Sequence, residues 1–480
     1  MSLDLLGLLS RDDWIYAGIL LLSFGISWGI RCSQNEKVAR QSGGAIGFAM
    51  ALFILGWKIF YSLPITAFVA ICIKYASQRH LTTLVFISTF VYLMFVRYLH
   101  LLFDVNELAS QANGVQLLIT LRTIGLTFEV SDARRYKKDP SQFREGKRFL
   151  TDEPSFFDIF NYFYHFCGLF TGPYYSYQML VDSYEPVLLK SWSPMKEIRV
   201  RAIRLCWSAP LFILFNKLFP LDGLRSDSVW DMSFIERMIY AAAVFVVFRT
   251  RVYSAWAVSE SICVTMGLGI YPEASKPRCV VGPTDTVAYE KMKSDPDAVR
   301  NSEAIVNIDI KEIEMSDGFR SGIRAWNKSV QSWLALYVHS RSSRLYRVEL
   351  TLFVSALWHG TYAGYFMSFL IVPMCAAVED IIFSMVPVDS ATNERPKWFR
   401  YLYTFTLRCR GFDFLATGFL LKNFVDTHRF WSSLYYWLLL VMLPVYAIHK
   451  IYAIMGHRTK KAPKNLNNND DINMPNKKEL

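Results

Sequence analysis

Between Glu349 and Glu379 the one Lys, Arg, Asp, Glu or His is His359, well inside an otherwise apolar stretch. An imidazole takes up and releases protons near neutral pH, so it is the natural general base for such a setting. An ionisable group inside a run long enough to be membrane-embedded is costly and by default functional. The plainer alternative is a neutral core histidine, hydrogen-bonded to a neighbouring helix. Upstream, Trp326, Val330, Trp333, Leu334 and Tyr337 recur at helical spacing between Gly322 and His339, with Arg324 and Lys328 on the other side. That pattern predicts an amphipathic helix half sunk in a membrane. Asn327 sits at the edge of its apolar stripe, placed to present a carboxamide to a buried cavity. Asn327-Lys328-Ser329 is also the one Asn-x-Ser/Thr sequon in the chain, which would serve as a glycan acceptor only in a lumenal loop.

Two guanidinium groups, Arg249 and Arg251, interrupt another apolar region, where an unpaired cation is expensive. They could bind phosphate, or pair with acids such as Glu260 or Asp426. Trp326 and Trp358 flank the two polar candidates and could shape a chamber or simply pack. Tyr162 and His165, near Gly172-Pro173, are explained adequately by packing and hydrogen bonding.

The elements that position these groups follow from composition. In a chain of 480 residues, 52% are hydrophobic, 16% aromatic and only 19% charged, with a mean hydropathy of +0.21. Soluble domains carry about a quarter charged residues. A disordered chain, a collagen-like repeat and a small disulfide scaffold are excluded, and an all-α polytopic membrane protein remains. The net charge of +11 resides largely between apolar runs, as in Arg134-Arg135-Tyr136-Lys137-Lys138. This is juxtamembrane charge that holds loops on the cytosolic side and attracts anionic membrane lipids; nucleic acid is not an expected partner.

Candidate spans are 14–30, 43–57 continuing to 73, 81–95, 205–219, 239–248, 252–270, 350–378, 401–421 and 431–448. Roughly ten to twelve membrane-embedded helices are expected at about 20 residues each. Segments 114–130 and 156–177 suit interfacial or cavity-lining helices. The polar connector 271–320 suits a loop lying over the membrane. One membrane-embedded domain, 1–455, is followed by a polar tail, 456–480, expected to be disordered and cytosolic. The tail ends Asn476-Lys477-Lys478-Glu479-Leu480, like a dilysine retrieval signal of the endoplasmic reticulum. No cleavable signal peptide is apparent.

Several pattern matches carry no chemistry. Gly25-Ile26-Ser27-Trp28-Gly29 fits a nucleophile elbow, but inside an apolar helix it reads as a packing face. Gly168 to Gly172 and Gly360 to Gly364 have the same spacing and the same reading. The eight cysteines have no metal-finger or thioredoxin spacing, and no metal or tightly bound cofactor is expected.

Arg324-Ala-Trp-Asn-Lys-Ser-Val-Gln-Ser-Trp-Leu334, followed by Ser355-Ala-Leu-Trp-His-Gly360, resembles the paired signature of the membrane-bound O-acyltransferase (MBOAT) family. Asn113-Gly-Val-Gln-Leu-Leu118, Thr171-Gly-Pro173, Phe248 to Trp256, Asn307-Ile-Asp309 and Asp426-Thr-His-Arg-Phe-Trp431 resemble its lysophosphatidylinositol acyltransferase branch. The resemblance covers most of the chain and weakens at both ends and over 280–303. It implies an MBOAT-type helical core around a buried catalytic chamber. It also implies transfer of an acyl group, polyunsaturated by preference, from acyl-CoA to the sn-2 hydroxyl of lysophosphatidylinositol in phospholipid remodelling. His359 takes the position of the family's catalytic histidine and Asn327 that of its partner, while Trp326, Trp358, Arg249 and Arg251 are substrate-binding candidates. Acyl-CoA enters as co-substrate, from the cytosolic face of the endoplasmic-reticulum membrane. The alternatives are another lysophospholipid or acceptor within the family, or a polytopic transporter.

Overall fold

The computed structural model describes residues 10–103, 110–143, 147–389, 392 and 395–459, the side chains of 452–459 excepted. The architecture is all-α. Among the described residues the strands are confined to one two-residue antiparallel pair, Tyr271–Pro272 with Arg300–Asn301.

The most polar of the long helices lies innermost. Helix Ser110–Lys138 has 29 residues, about 43 Å at the α-helical rise, and buries Gln116, Thr120, Arg122, Thr123 and Thr127. Burial is possible because the hydroxyls are satisfied within the helix. Thr120 donates to the Gln116 carbonyl at 2.8 Å, Thr123 to Ile119 at 2.9 Å and Thr127 to Thr123 at 2.8 Å. Arg122, with no solvent exposure, faces the segment that follows helix Phe156–Tyr164. That segment, expected to be helical as far as Tyr177, leaves the helix at His165, and Gly168 and Gly172 take φ values of +69° and +83°. These glycines serve turns rather than a helix packing face. The Arg122 guanidinium donates to the carbonyls of Tyr162 (3.2 Å), Phe163 (3.1 Å), His165 (2.9 Å) and Cys167. Non-helical backbone is thereby supplied with donors inside the protein, as a membrane interior requires.

By length and apolar composition, five helices could cross a membrane: Arg11–Ser33, Gly43–Tyr75, Leu81–Leu102, Phe234–Thr265 and Ala363–Met385; a pair bent by 80°, Phe424–Ser433 with Trp437–Ile451, could make a sixth. This is fewer than the ten to twelve embedded helices expected. The remainder are either too polar to face lipid, like Ser110–Lys138, or short, like Arg347–His359 and Cys409–Leu421. Runs 239–248 and 252–270 form one helix, Phe234–Thr265, so Arg249 and Arg251 lie within it. Run 350–378 divides into Arg347–His359 and Ala363–Met385. A Cβ at Gly25 or Gly29 would meet nothing within 4 Å, so the expected packing face there is open, whereas one at Gly364 would strike the Gly418 and Lys422 carbonyls. The last helix continues to Thr459, past the expected start of the tail; residues 460–480, with the dilysine, lie outside the described residues.

Three apolar clusters form among the described residues. The largest joins the N-terminal helices to Trp333, Val354 and Trp358, the second joins Val378, Phe414, Trp431 and Leu438, and a small third gathers Tyr253, Trp256, Ile308 and Ile313, with Trp326 packed against it. The site lies along their seam.

Arg122→Met is expected to strip donors from buried carbonyls and destabilise the fold by about 3 kcal/mol or more. Thermal unfolding of the detergent-solubilised protein, followed by circular dichroism, checks this. Arg122→Lys should not restore the parent midpoint, because one ammonium cannot span the set.

Candidate active site

His359 is the last residue of helix Arg347–His359, not an interior residue of a continuous span. A helix end leaves carbonyls without partners. Here Arg97, from helix Leu81–Leu102, donates to the carbonyls of Leu357 (3.0 Å), Trp358 (2.6 Å) and His359 (3.1 Å). Its Nε donates to Asn113 Oδ1 at 3.0 Å, which fixes the guanidinium plane. The cation also sits at the negative end of the helix dipole. The imidazole is boxed by rings: Phe369 stacks on it at 5.5 Å, Phe419 meets it edge-on at 5.1 Å, and Tyr365 lies 5.9 Å away. Among the described residues, no protein group hydrogen-bonds to either of its ring nitrogens, so the histidine is not the tethered core residue of the plainer alternative.

The amphipathic helix expected around Asn327 is broken at that residue, into Phe319–Ala325 and Lys328–Tyr337. Asn327 takes φ 48°, ψ 50°, a left-handed conformation that asparagine tolerates better than most residues. Buried Asn307 holds the break open. Its carbonyl accepts from the Lys328 amide at 2.8 Å and its side-chain Oδ1 from the Ser329 amide at 3.1 Å, so it supplies the cap. The Asn327 carboxamide makes no capping bond to its own helix and is left for the cavity. Behind Asn307, its amide donates to Glu260 Oε1 at 2.9 Å, and that carboxylate pairs with Arg201 (3.0 Å) and Arg204 (3.3 Å).

Asn327 and His359 line the same cavity, of about 540 Å³, within the usual range for small-molecule sites. Its wall is predominantly apolar, with Phe248, Leu334, Phe369 and Phe419, and its polar groups include Gln331, Ser355 and Thr351. Trp326 and Arg249 line it too. Trp326 stacks on Phe248 at 5.8 Å, and Arg249 is ion-paired to Glu314 at 2.7 Å while facing the cavity. Trp358 and Arg251 do not line it. Trp358 is buried, its indole N–H donating to the Leu117 carbonyl at 3.1 Å, and Arg251 pairs with Asp13 at 2.5 Å. Neither arginine uses Glu260 or Asp426, the latter being paired with Arg225. Tyr162 donates to the Tyr175 carbonyl at 2.7 Å, and His165 Nδ1 accepts from the Cys167 amide at 3.3 Å, both away from the cavity.

Several groups here carried no sequence signal. Arg97 looks like one more interrupted span, and Phe369 and Phe419 like ordinary apolar residues. Ser355 was within reach, being one turn before His359 on the same face. His339, on the cavity wall, is followed by Arg344 and Arg347, while the intervening Arg341 is paired with Asp132 on the far side. Burial and the Arg347 charge lower its pKa, so its ring is neutral at neutral pH and the basic character beyond it comes from the arginines.

The all-α body, with five or six helices able to cross a membrane, places an imidazole and a carboxamide on the wall of one largely apolar cavity. The chain belongs to the MBOAT, membrane-bound O-acyltransferase, family, whose model matches residues 65–412 and so includes both groups. It is 57% identical over 462 residues, 96% of this chain and 99% of the relative, to a Caenorhabditis elegans protein named membrane-bound acylglycerophosphatidylinositol O-acyltransferase mboa-7. The Homo sapiens protein of that name, MBOAT7, is 33% identical over 446 residues, covering 89% of this chain and 91% of the relative. The Drosophila melanogaster relative of the same enzyme name, frj, is 29% identical over 450 residues, covering 89% and 90%.

Arg97→Met should leave His359 in place chemically but loosen the helix end that aims it. Acyl-transfer turnover is expected to fall about a hundredfold with membrane-inserted protein retained, as measured by activity normalised to immunoblot.

Proposed function

We propose that this enzyme transfers a fatty acyl group from acyl-CoA to the sn-2 hydroxyl of lysophosphatidylinositol, giving phosphatidylinositol. The observation that carries the mechanism is the shared cavity: His359 and Asn327, from separate elements, face one apolar chamber. The acceptor rests on the names of the relatives, all acylglycerophosphatidylinositol acyltransferases.

In this reading an imidazole nitrogen of His359 takes the hydroxyl proton as the alcohol oxygen attacks the thioester carbonyl. The Asn327 carboxamide donates to the developing oxyanion. When the carbon–sulfur bond breaks, the imidazolium returns its proton to the departing thiolate, so the base is restored without a cofactor. The ring box holds the imidazole plane, and the apolar wall keeps water from competing for the thioester. Arg249 offers its guanidinium to a phosphate of the lysolipid. The basic end beyond His339 suits the phosphates of acyl-CoA arriving from the cytosol. A polyunsaturated donor and residence in the endoplasmic-reticulum membrane, with the dilysine tail in the cytosol, complete the proposal. Asn327 on the wall of an internal cavity argues against its use as a glycan acceptor.

Microsomes expressing the protein, assayed with a panel of lysophospholipids and acyl-CoA donors, test this directly. Lysophosphatidylinositol with an arachidonoyl-type donor should be preferred; preference for lysophosphatidylcholine would assign the chain a different acceptor. His359→Ala should lower turnover by about 10²–10⁴ and Asn327→Ala by about 10²–10³, each with protein level unchanged. A deglycosylation shift that disappears in Asn327→Gln would place that residue in the lumen and remove it from the mechanism.

A further inference from the structure

A second cavity, of about 780 Å³, lies on the reverse face of the elements that carry the site. Leu350 and Val354 line it from helix Arg347–His359, whereas Thr351, Ser355 and His359 of that helix line the first; the two cavities share no lining residue. Nothing in the acyl-transfer mechanism uses it.

Its chemistry is that of an anion site. Arg79, Arg135 and Arg341 line it. Beside it the buried Asp132 carboxylate takes three of the local cations: Arg135 at 2.5 Å, Arg341 at 2.7 Å and Lys147 at 3.3 Å. The nearby acid Glu129 is occupied by the amides of Tyr177 and Gln178, each at 3.0 Å. Arg79 is exposed and has no ion-pair partner among the described residues. Among the described residues, Arg79 is thus left over at a pocket whose other cations share one carboxylate, a balance that suits a further anion. Gln78 adds selectivity. Its Nε2 donates to Ser131 at the carbonyl (3.0 Å) and hydroxyl (2.8 Å), and its Oε1 is buried without a partner. That oxygen is an unpaired acceptor on a residue that lines the pocket, and a small side-chain rotation would offer it to a hydroxyl there.

The wall also specifies that the anion is membrane-borne. Arg79 precedes helix Leu81–Leu102, and one to two turns along, Phe86 and Ile87 line the pocket. Ile87 is 57% exposed and Val91, the next turn on the same face, 63%. In an apolar spanning helix such a face meets lipid chains. Cationic headgroup contacts above a lipid-facing apolar strip match an amphiphile better than a soluble phosphate.

We propose that this pocket binds the phosphate headgroup of an anionic membrane lipid, with a polyol headgroup such as inositol favoured by Gln78, at a site separate from the reaction cavity. The acyl chains lie along the outer face of helix Leu81–Leu102.

The test uses the full-length protein in phosphatidylcholine nanodiscs, with dioctanoyl-phosphatidylinositol, dioctanoyl-phosphatidic acid and coenzyme A as separate probes. Arg79→Glu reverses an unpaired, exposed charge and should fold as the parent does. It should weaken phosphatidylinositol binding by about tenfold or more, and Arg135→Gln should weaken it in the same direction. Phosphatidylinositol is also the product of the proposed reaction, so Arg249→Gln in the reaction cavity is the control: a separate site keeps the binding that Arg79→Glu removes, whereas equal loss in Arg249→Gln and none in the two pocket variants would place the lipid in the reaction cavity. Unchanged phosphatidylinositol binding in both pocket variants overturns the proposal. In that event a loss confined to coenzyme A would reassign the basic wall to a soluble phosphate.

Discussion

Three carbonyls at the end of helix Arg347–His359 are met by the single guanidinium of Arg97. An unpaired buried carbonyl costs on the order of 1–3 kcal/mol, so a helix could not end there without such a donor. Because it ends there, His359 sits at a terminus with its ring free to face a cavity, instead of along a helix wall packed against neighbours. The same device recurs. Arg122 holds the carbonyls of the 162–167 turn, Arg237 those of Val229, Trp230 and Ser433, and Arg408 those of Glu312, Ile313, Glu314 and Gly318. Arginine suits the task because its planar fork carries five donors and stays charged.

The chamber depends on two breaks in otherwise helical chain. At Asn327 the break is stabilised from outside, by Asn307 and, through it, by Glu260 with Arg201 and Arg204. At Gly360 it is stabilised by Arg97. Each break turns a side chain away from a regular helical stripe and into common space. The wall opposite comes from Phe369 and Phe419, on helices of the second apolar cluster, and from Trp256, Ile313 and Trp326 of the third. The site is thus a product of packing between clusters, and no single cluster supplies all of its wall.

Helix Arg347–His359 also separates two cavities of different character. One face looks onto an apolar chamber with a few polar groups, the other onto a basic pocket at the start of a lipid-facing helix.

Much was legible in the sequence. Sparse charge and long apolar runs require a helical membrane protein, since the bilayer interior forces backbone groups to pair within helices. His359 stands out because an isolated ionisable residue in such a run is costly, and Asn327 because it borders a Trp-rich stripe. What the sequence could not reveal is where helices stop and which arginines serve the backbone. An apolar run continues through residue 360 whether or not a helix does, and its end is set by Arg97, more than 250 residues away in the chain. Likewise Arg249 faces the cavity while Arg251, two residues on, points to the other side of the same helix, and Trp326 lines the cavity while Trp358, on another helix, donates to the Leu117 carbonyl. Local pattern determined the medium and the reactive groups; tertiary packing alone decided which of them share a chamber, because donors for the irregular backbone come from distant helices.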